Sequence, residues 1–128
     1  MGIIKSDVQF YIPAFGIRVD VVITYDTKDP LAVKFDIDCP CGCNESIPWY
    51  VSRDMLFTSL NEKVGLGEVK MFPVKESNFI AFEIVNEEGT SLSYMYADDI
   101  KRFLRRTYKL VAMGSEHRFI DFDRLLPA

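Results

Sequence analysis

Apolar and polar residues alternate with a period of two through the first half of the chain. Val8, Phe10 and Ile12 alternate with Asp7, Gln9 and Tyr11. Beyond Pro13 and Gly16, one face takes Ile17, Val19, Val21, Ile23 and Tyr25, and the other takes Arg18, Asp20 and Thr24. Asp26-Thr27-Lys28-Asp29-Pro30 reads as a turn, because Asp side chains bond nearby backbone amides and proline fixes φ. The alternation resumes with Leu31, Val33, Phe35 and Ile37 against Lys34, Asp36 and Asp38, and again with Ile47, Trp49 and Val51. Successive side chains of a strand point to opposite faces. The pattern therefore predicts four antiparallel strands, each buried on one side and wet on the other.

The period then changes. Ser52 is placed to cap a helix over Arg53 to Leu60, with Leu56, Leu60 and the neighbouring Met55 on its apolar side. Gly65 and Gly67 end that element. Three more strand-like runs follow, Glu68–Val74, Asn78–Val85 and Ser91–Tyr96, the last two joined by the turn Glu87-Glu88-Gly89. A second helix is predicted from about Asp98 to Thr107, with Ile100, Phe103 and Leu104 as its apolar stripe. Asp98 and Asp99 suit its positive end, and Arg105 and Arg106 its negative end. Asp121 to Leu126 is read as one further helical turn. The fold class is α+β: one antiparallel, β-rich domain over residues 1–128, in the order ββββα-βββα, which suggests a structural near-duplication.

The run Asn78–Val85 is apolar on both sides, with Phe79, Ala81 and Val85 opposed to Ile80, Phe82 and Ile84. Such a strand is covered on both faces, by a helix or by another subunit. Two helices cover little sheet, so Phe79, Ile80, Phe82 and Ile84 are candidates for an oligomer interface.

Size and charge narrow the function. The chain has 128 residues, 48% of them hydrophobic, and a net charge of −4 from 15 basic and 19 acidic residues. Nucleic acid is not the expected partner of an acidic chain, since phosphate binding by counterion release calls for surplus Lys and Arg. No run approaches the ~18 apolar residues of a membrane span, and Met1 to Asp7 lacks a secretory signal, so a cytoplasmic location without membrane insertion is expected. Three cysteines, Cys39, Cys41 and Cys43, lie in one Cys-Pro-Cys-Gly-Cys turn. They are candidate metal ligands, but structural zinc sites use four ligands drawn from pairs spaced C-x₂₋₄-C, which is not this pattern. The other reading is a hairpin turn that happens to carry thiols, and no cofactor is expected.

The single histidine, His117, sits beside Ser115 and Glu116. Catalytic triads are assembled from separate parts of a fold, and no nucleophile elbow or phosphate loop accompanies these residues. Glu116 and His117 are therefore expected to cap or pair locally, and an enzyme is not expected. Lys101, Arg102, Arg105, Arg106 and Lys109 form a basic cluster, read either as a solvated helix face or as a contact for an acidic partner or nucleic acid.

Three blocks taken together resemble the SsgA-like family of actinomycete sporulation and cell-division regulators. The first runs from Tyr25, Asp26, Asp29 and Pro30 to Val33; the second from Trp49, Arg53, Asp54 and Leu56 through Gly65 and Gly67 to Pro73. The third comprises Leu104, Arg106 and Thr107, then Glu116 and His117, then Asp121. The resemblance implies a non-enzymatic protein that helps position the tubulin-like division GTPase at sporulation septa, either directly or through its recruiters. It also implies a trimer and a fold like that of the whirly single-stranded nucleic-acid-binding proteins. On such a fold, Tyr94, Tyr96 and Tyr50 could stack on bases, which is the alternative function.

Overall fold

The computed structural model describes residues 2–38 and 46–119. Its alternating runs become one eight-stranded antiparallel sheet. The first half is a meander of β1 (Ile3–Ile12), β2 (Ile17–Asp26), β3 (Ala32–Asp38) and β4 (Ser46–Ser52), followed by helix α1 (Arg53–Thr58). The second half repeats that plan with β5 (Val64–Leu66), β6 (Val69–Pro73), β7 (Phe79–Asn86) and β8 (Gly89–Tyr96), followed by α2 (Ala97–Leu110). Strand order is β4-β3-β2-β1-β8-β7-β6-β5, so the first strand of one meander lies beside the last strand of the other. The seam is registered at Tyr11 opposite Tyr94. β4 contains Pro48, and β5 is three residues long; these are the two outermost strands.

The expected architecture of a β-rich single domain with two helices is the one observed, with a fourth strand in the second half. β5 escapes the pattern because three residues flanked and interrupted by glycine hold no readable alternation. It completes the near-duplication, making each half four strands and a helix. α1 stops at Thr58, two residues short of the expected Leu60, as the backbone tightens and Leu60 donates to the Phe57 carbonyl at 3.2 Å. α2 runs three residues past Thr107, to Leu110.

One sheet face and the two helices enclose the core. Phe10, Phe35 and Phe82 meet at its centre, with ring centroids 5.6–6.0 Å apart. They belong to β1, β3 and β7, so aromatic packing joins the two meanders across the seam. Leu56 of α1 and Ile100, Phe103 and Leu104 of α2 close the core from the helix side. Leu31 was expected on the buried face with Val33, yet it is 53% exposed. It lies one residue before β3, in the turn, where its carbonyl accepts the Arg53 backbone N–H at 2.8 Å.

The two-sided strand β7 also differs from expectation. Ile80 and Phe82 are fully buried in the chain's own core and Ile84 packs at its margin. Those three are therefore spent within the fold and do not form a free interface. Phe79 alone of the four candidates looks out from the opposite face, while Ala81 on that face is buried.

Candidate functional site

Tyr25 of the first sequence block and Thr107 and Glu116 of the third meet the buried Arg53 of the second. Ser52 caps α1, its Oγ accepting the Met55 N–H at 2.9 Å from an extended backbone (φ −70°, ψ 146°). That cap sets Arg53 as the first helical residue and directs its side chain inward, 1% exposed. Arg53 Nη1 donates to the carbonyls of Thr107 (3.3 Å) and Val111 (2.7 Å), and Nη2 donates to Glu116 Oε1 at 2.8 Å. The guanidinium is sandwiched between the rings of Tyr25 (4.9 Å) and Tyr108 (4.4 Å). A planar cation with a fork of donors is suited to both kinds of contact at once. Tyr25 in turn donates its hydroxyl hydrogen to the Pro30 carbonyl at 2.8 Å, tying in the Asp26–Pro30 turn.

The hub thus links β2, the start of α1, the end of α2 and a short 3-10 helix, Glu116–Phe119. It caps α2 from outside that helix, because its guanidinium takes up carbonyls at the negative helix end. Gly114, at φ +82°, reverses the chain so that Glu116 turns back inward. Glu116 therefore pairs with a partner 63 residues away, in addition to the local backbone N–H groups that the sequence led one to expect. His117 beside it is exposed, whereas Glu116 is buried against Arg53.

The environment shifts three groups. The hydrogen bond from Arg53 holds the Glu116 carboxyl below its ordinary range, helped by backbone N–H groups at Glu116 and Gly114 and opposed by burial. Burial pushes the Tyr25 hydroxyl up to about 12, partly offset by Arg53, and burial likewise raises Tyr108. Both ends of the pH scale should then weaken the fold. Glu116 binds its proton more weakly when folded, so its contribution is complete above the unfolded carboxyl value and is lost as pH falls through the lowered one. Tyr25 holds its proton more tightly when folded, so its contribution is intact below ~10 and drains away as pH rises towards 12. Urea midpoints across pH should show both limbs, Glu116→Gln flattening the acid one and Tyr25→Phe the alkaline one. Unchanged limbs in these variants would remove the hub from the account.

The remaining block residues are peripheral. Asp26 Oδ1 accepts the Lys28 N–H at 2.9 Å within the turn, and the Asp29 N–H donates to the Asp26 carbonyl at 2.8 Å. Trp49 is half-buried on β4 opposite Phe35. Asp54 is exposed in the first turn of α1, at the positive helix end. Leu104 is core, whereas Arg106 is exposed and donates to the Lys5 carbonyl (3.2 Å) and Ser6 Oγ (3.0 Å). Cys39, Cys41, Cys43, Asp121 and the helical turn expected at the tail lie outside the described residues. Among the described residues, no three His, Cys, Asp or Glu side chains gather as a metal site requires. No described helix is long and apolar enough to cross a membrane.

A second assembly lies on the outer sheet face. Tyr11, Phe79, Tyr94 and Tyr96 gather with Gln9 and Arg18 around a cavity of about 350 Å³. The Phe79 ring lies 4.9 Å from Tyr96 and 6.2 Å from Tyr94. Tyr11 and Tyr96 are 40% and 41% exposed. Tyr50 is not among them; it lines a separate hollow with Asp26, Asp29 and Lys34. Sequence reasoning named Tyr94, Tyr96 and Phe79 but missed Tyr11 and Tyr108. Tyr11 joins its neighbours only because β1 and β8 are adjacent, which no local pattern reveals. Tyr108 follows the block residue Thr107, the one signal that could have drawn notice.

Comparison with known proteins agrees with this architecture. Residues 19–116 match the family model described as Streptomyces sporulation and cell division protein, SsgA. The chain is 32% identical over 112 residues to the sporulation-specific cell division protein SsgB of Salinispora tropica, covering 86% of this chain and 78% of that protein. It is 31% identical over 126 residues to SsgB of Streptomyces coelicolor, covering 97% and 85%. A solved structure from work on SsgB mutations that correlate to longitudinal cell division during sporulation of Streptomyces coelicolor superposes with a TM-score of 0.83. It has 26% identity and covers 92% of this chain and 95% of that one. An SsgA-like sporulation-specific cell division protein from Thermobifida fusca shares the fold, with a TM-score of 0.83 at 21% identity, covering 96% of this chain and 91% of that one.

Proposed function

Because the chain belongs to the SsgA family of Streptomyces sporulation and cell division proteins, we propose that it acts without catalysis. It binds components of the division machinery and helps to position the tubulin-like division GTPase at sporulation septa. One observation carries this reading: four polar block residues, Arg53, Glu116, Thr107 and Tyr25, are turned inward, with Arg53 contacting each of the other three. They fix the fold. What faces solvent is contact surface, including Tyr11, Tyr96, Phe79 and Arg18, of residue types that carry binding energy at protein interfaces. The working unit is a homotrimer in the cytoplasm, recruited to the division site.

A fluorescent fusion in the native host, imaged beside the labelled GTPase, tests the role. The two should coincide at nascent septa, and deletion should leave the GTPase scattered. A diffuse fusion throughout septation, with normal septa after deletion, would overturn it. Light scattering after size exclusion should return three chains per particle; a monomer at micromolar concentration would remove the trimer.

A further inference from the structure

Five cations stand on the exposed side of α2 within nine residues: Lys101, Arg102, Arg105, Arg106 and Lys109. The segment Ala97–Leu110 holds those five against two carboxylates, Asp98 and Asp99. The rest of the chain holds ten cations against seventeen carboxylates, so charge is strongly polarised onto this helix. The helix dipole explains only part of the stripe. It favours cations in the last turn, which accounts for Lys109, but Lys101 and Arg102 lie in the first half of the helix, where it gives them no support.

The stripe also repels itself. Lys101, Arg105 and Lys109 are spaced four residues apart, as are Arg102 and Arg106, and like charges at that spacing destabilise a helix. Arg102 is neutralised by Asp99 at a cleft beside β1 that Asp7 also lines. Arg106 is engaged with the Lys5 carbonyl and Ser6 Oγ. Lys101, Arg105 and Lys109 have no carboxylate within ion-pair distance among the described residues. The fold carries this row of charge without using it.

We infer that the row Lys101–Arg105–Lys109 on the outward face of α2 is a docking surface for an acidic protein segment bearing several closely spaced Asp or Glu side chains. Its cations recur about every 6 Å along the helix axis, close to the repeat of alternate side chains on an extended strand or of every fourth residue on a helix. A short acidic segment therefore matches it charge for charge. A membrane surface fits less well, because the apolar stripe of α2 (Ile100, Phe103 and Leu104) is committed to the core and offers nothing to insert. Nucleic acid fits less well too, because the rest of the chain is net acidic and would repel a long polyanion. The segment is defined by its charge, whichever division protein carries it. A failure here would leave the septal role to be judged by the fusion.

Fluorescence anisotropy of a labelled oligoglutamate peptide with the full chain tests the surface. The peptide should bind at low ionic strength and weaken as salt rises. Arg105→Glu should weaken it roughly tenfold or more, since reversal replaces an attraction by a repulsion at the centre of the row. That variant also places a carboxylate four residues from both Lys101 and Lys109, so its melting temperature should hold or rise, separating lost binding from lost folding. Lys70→Glu with Lys75→Glu, on exposed positions elsewhere, should leave binding within about twofold of the parent. Equal weakening in that control, or unchanged binding in Arg105→Glu, would overturn the surface. Tighter capture of an oligothymidylate strand or of phosphatidylglycerol vesicles than of the peptide would overturn the choice of partner.

Discussion

Arg53→Ala is expected to destabilise the chain by about 3–5 kcal/mol, the cost of removing one partner from a buried ion pair. For a domain whose total stability is about 5–15 kcal/mol, such a loss leaves little. Three groups each lose a donor together: the Glu116 carboxylate and the carbonyls of Thr107 and Val111. The space between the Tyr25 and Tyr108 rings is emptied as well. Arg53→Met separates these effects, filling the space without supplying donors. If the polar contacts dominate, Met should recover only a minor part of the loss. The double variant Arg53→Met with Glu116→Leu should recover more, because it removes the orphaned charge along with its partner. Urea unfolding of the four proteins measures this directly. A single Arg53→Ala cost under about 1 kcal/mol would mean that the hub contributes no more than a surface ion pair.

Phe82→Ala is expected to cost about 3–5 kcal/mol, in the range for emptying a large aromatic from a core. Phe82 is 1% exposed and its ring lies 5.6 Å from Phe10 and 5.7 Å from Phe35. It is the contribution of β7 to a three-ring cluster otherwise supplied by β1 and β3, so its loss loosens one meander from the other. Phe82→Leu keeps most of the volume and should cost clearly less. Phe35→Ala combined with Phe82→Ala should fall short of the sum of the single losses, because both open the same cavity. Full additivity would mean that the rings do not act as one unit. The measurement also bears on β7 itself: a large loss in a dilute monomer marks Phe82 as core.

Alternation places the four strands of the first half, and three strand-like runs, one of them apolar on both sides, place β6, β7 and β8; each of these seven is at least five residues long. Where the period was too short to read, as in β5, it failed. Parity also misled at Leu31, where the right spacing continues one residue past the strand into a turn. The site was less legible. Arginine is a surface residue by type, and nothing in the local spacing says that Arg53 is buried. The three blocks were visible as blocks, but their meeting around one guanidinium depends on long-range placement: Arg53 and Glu116 are 63 residues apart. Glu116, expected to act locally, reads differently once Gly114 is seen to reverse the chain. The outer aromatic face was half legible, because strand parity aligns Tyr94 with Tyr96 while only the β1-β8-β7 order brings in Tyr11 and Phe79.

The two ends of the sheet carry a consequence for how this protein meets copies of itself. An outermost strand with free N–H and C=O groups is a template for another chain, and long flat edges of that kind lead to aggregation. Here β4 carries Pro48, which has no N–H to offer, and β5 stops after three residues. Strand addition is blunted at both margins, so crowded chains gain little by adding edge to edge. Higher-order contacts are left to the faces, where side chains and not backbone ladders choose the neighbour.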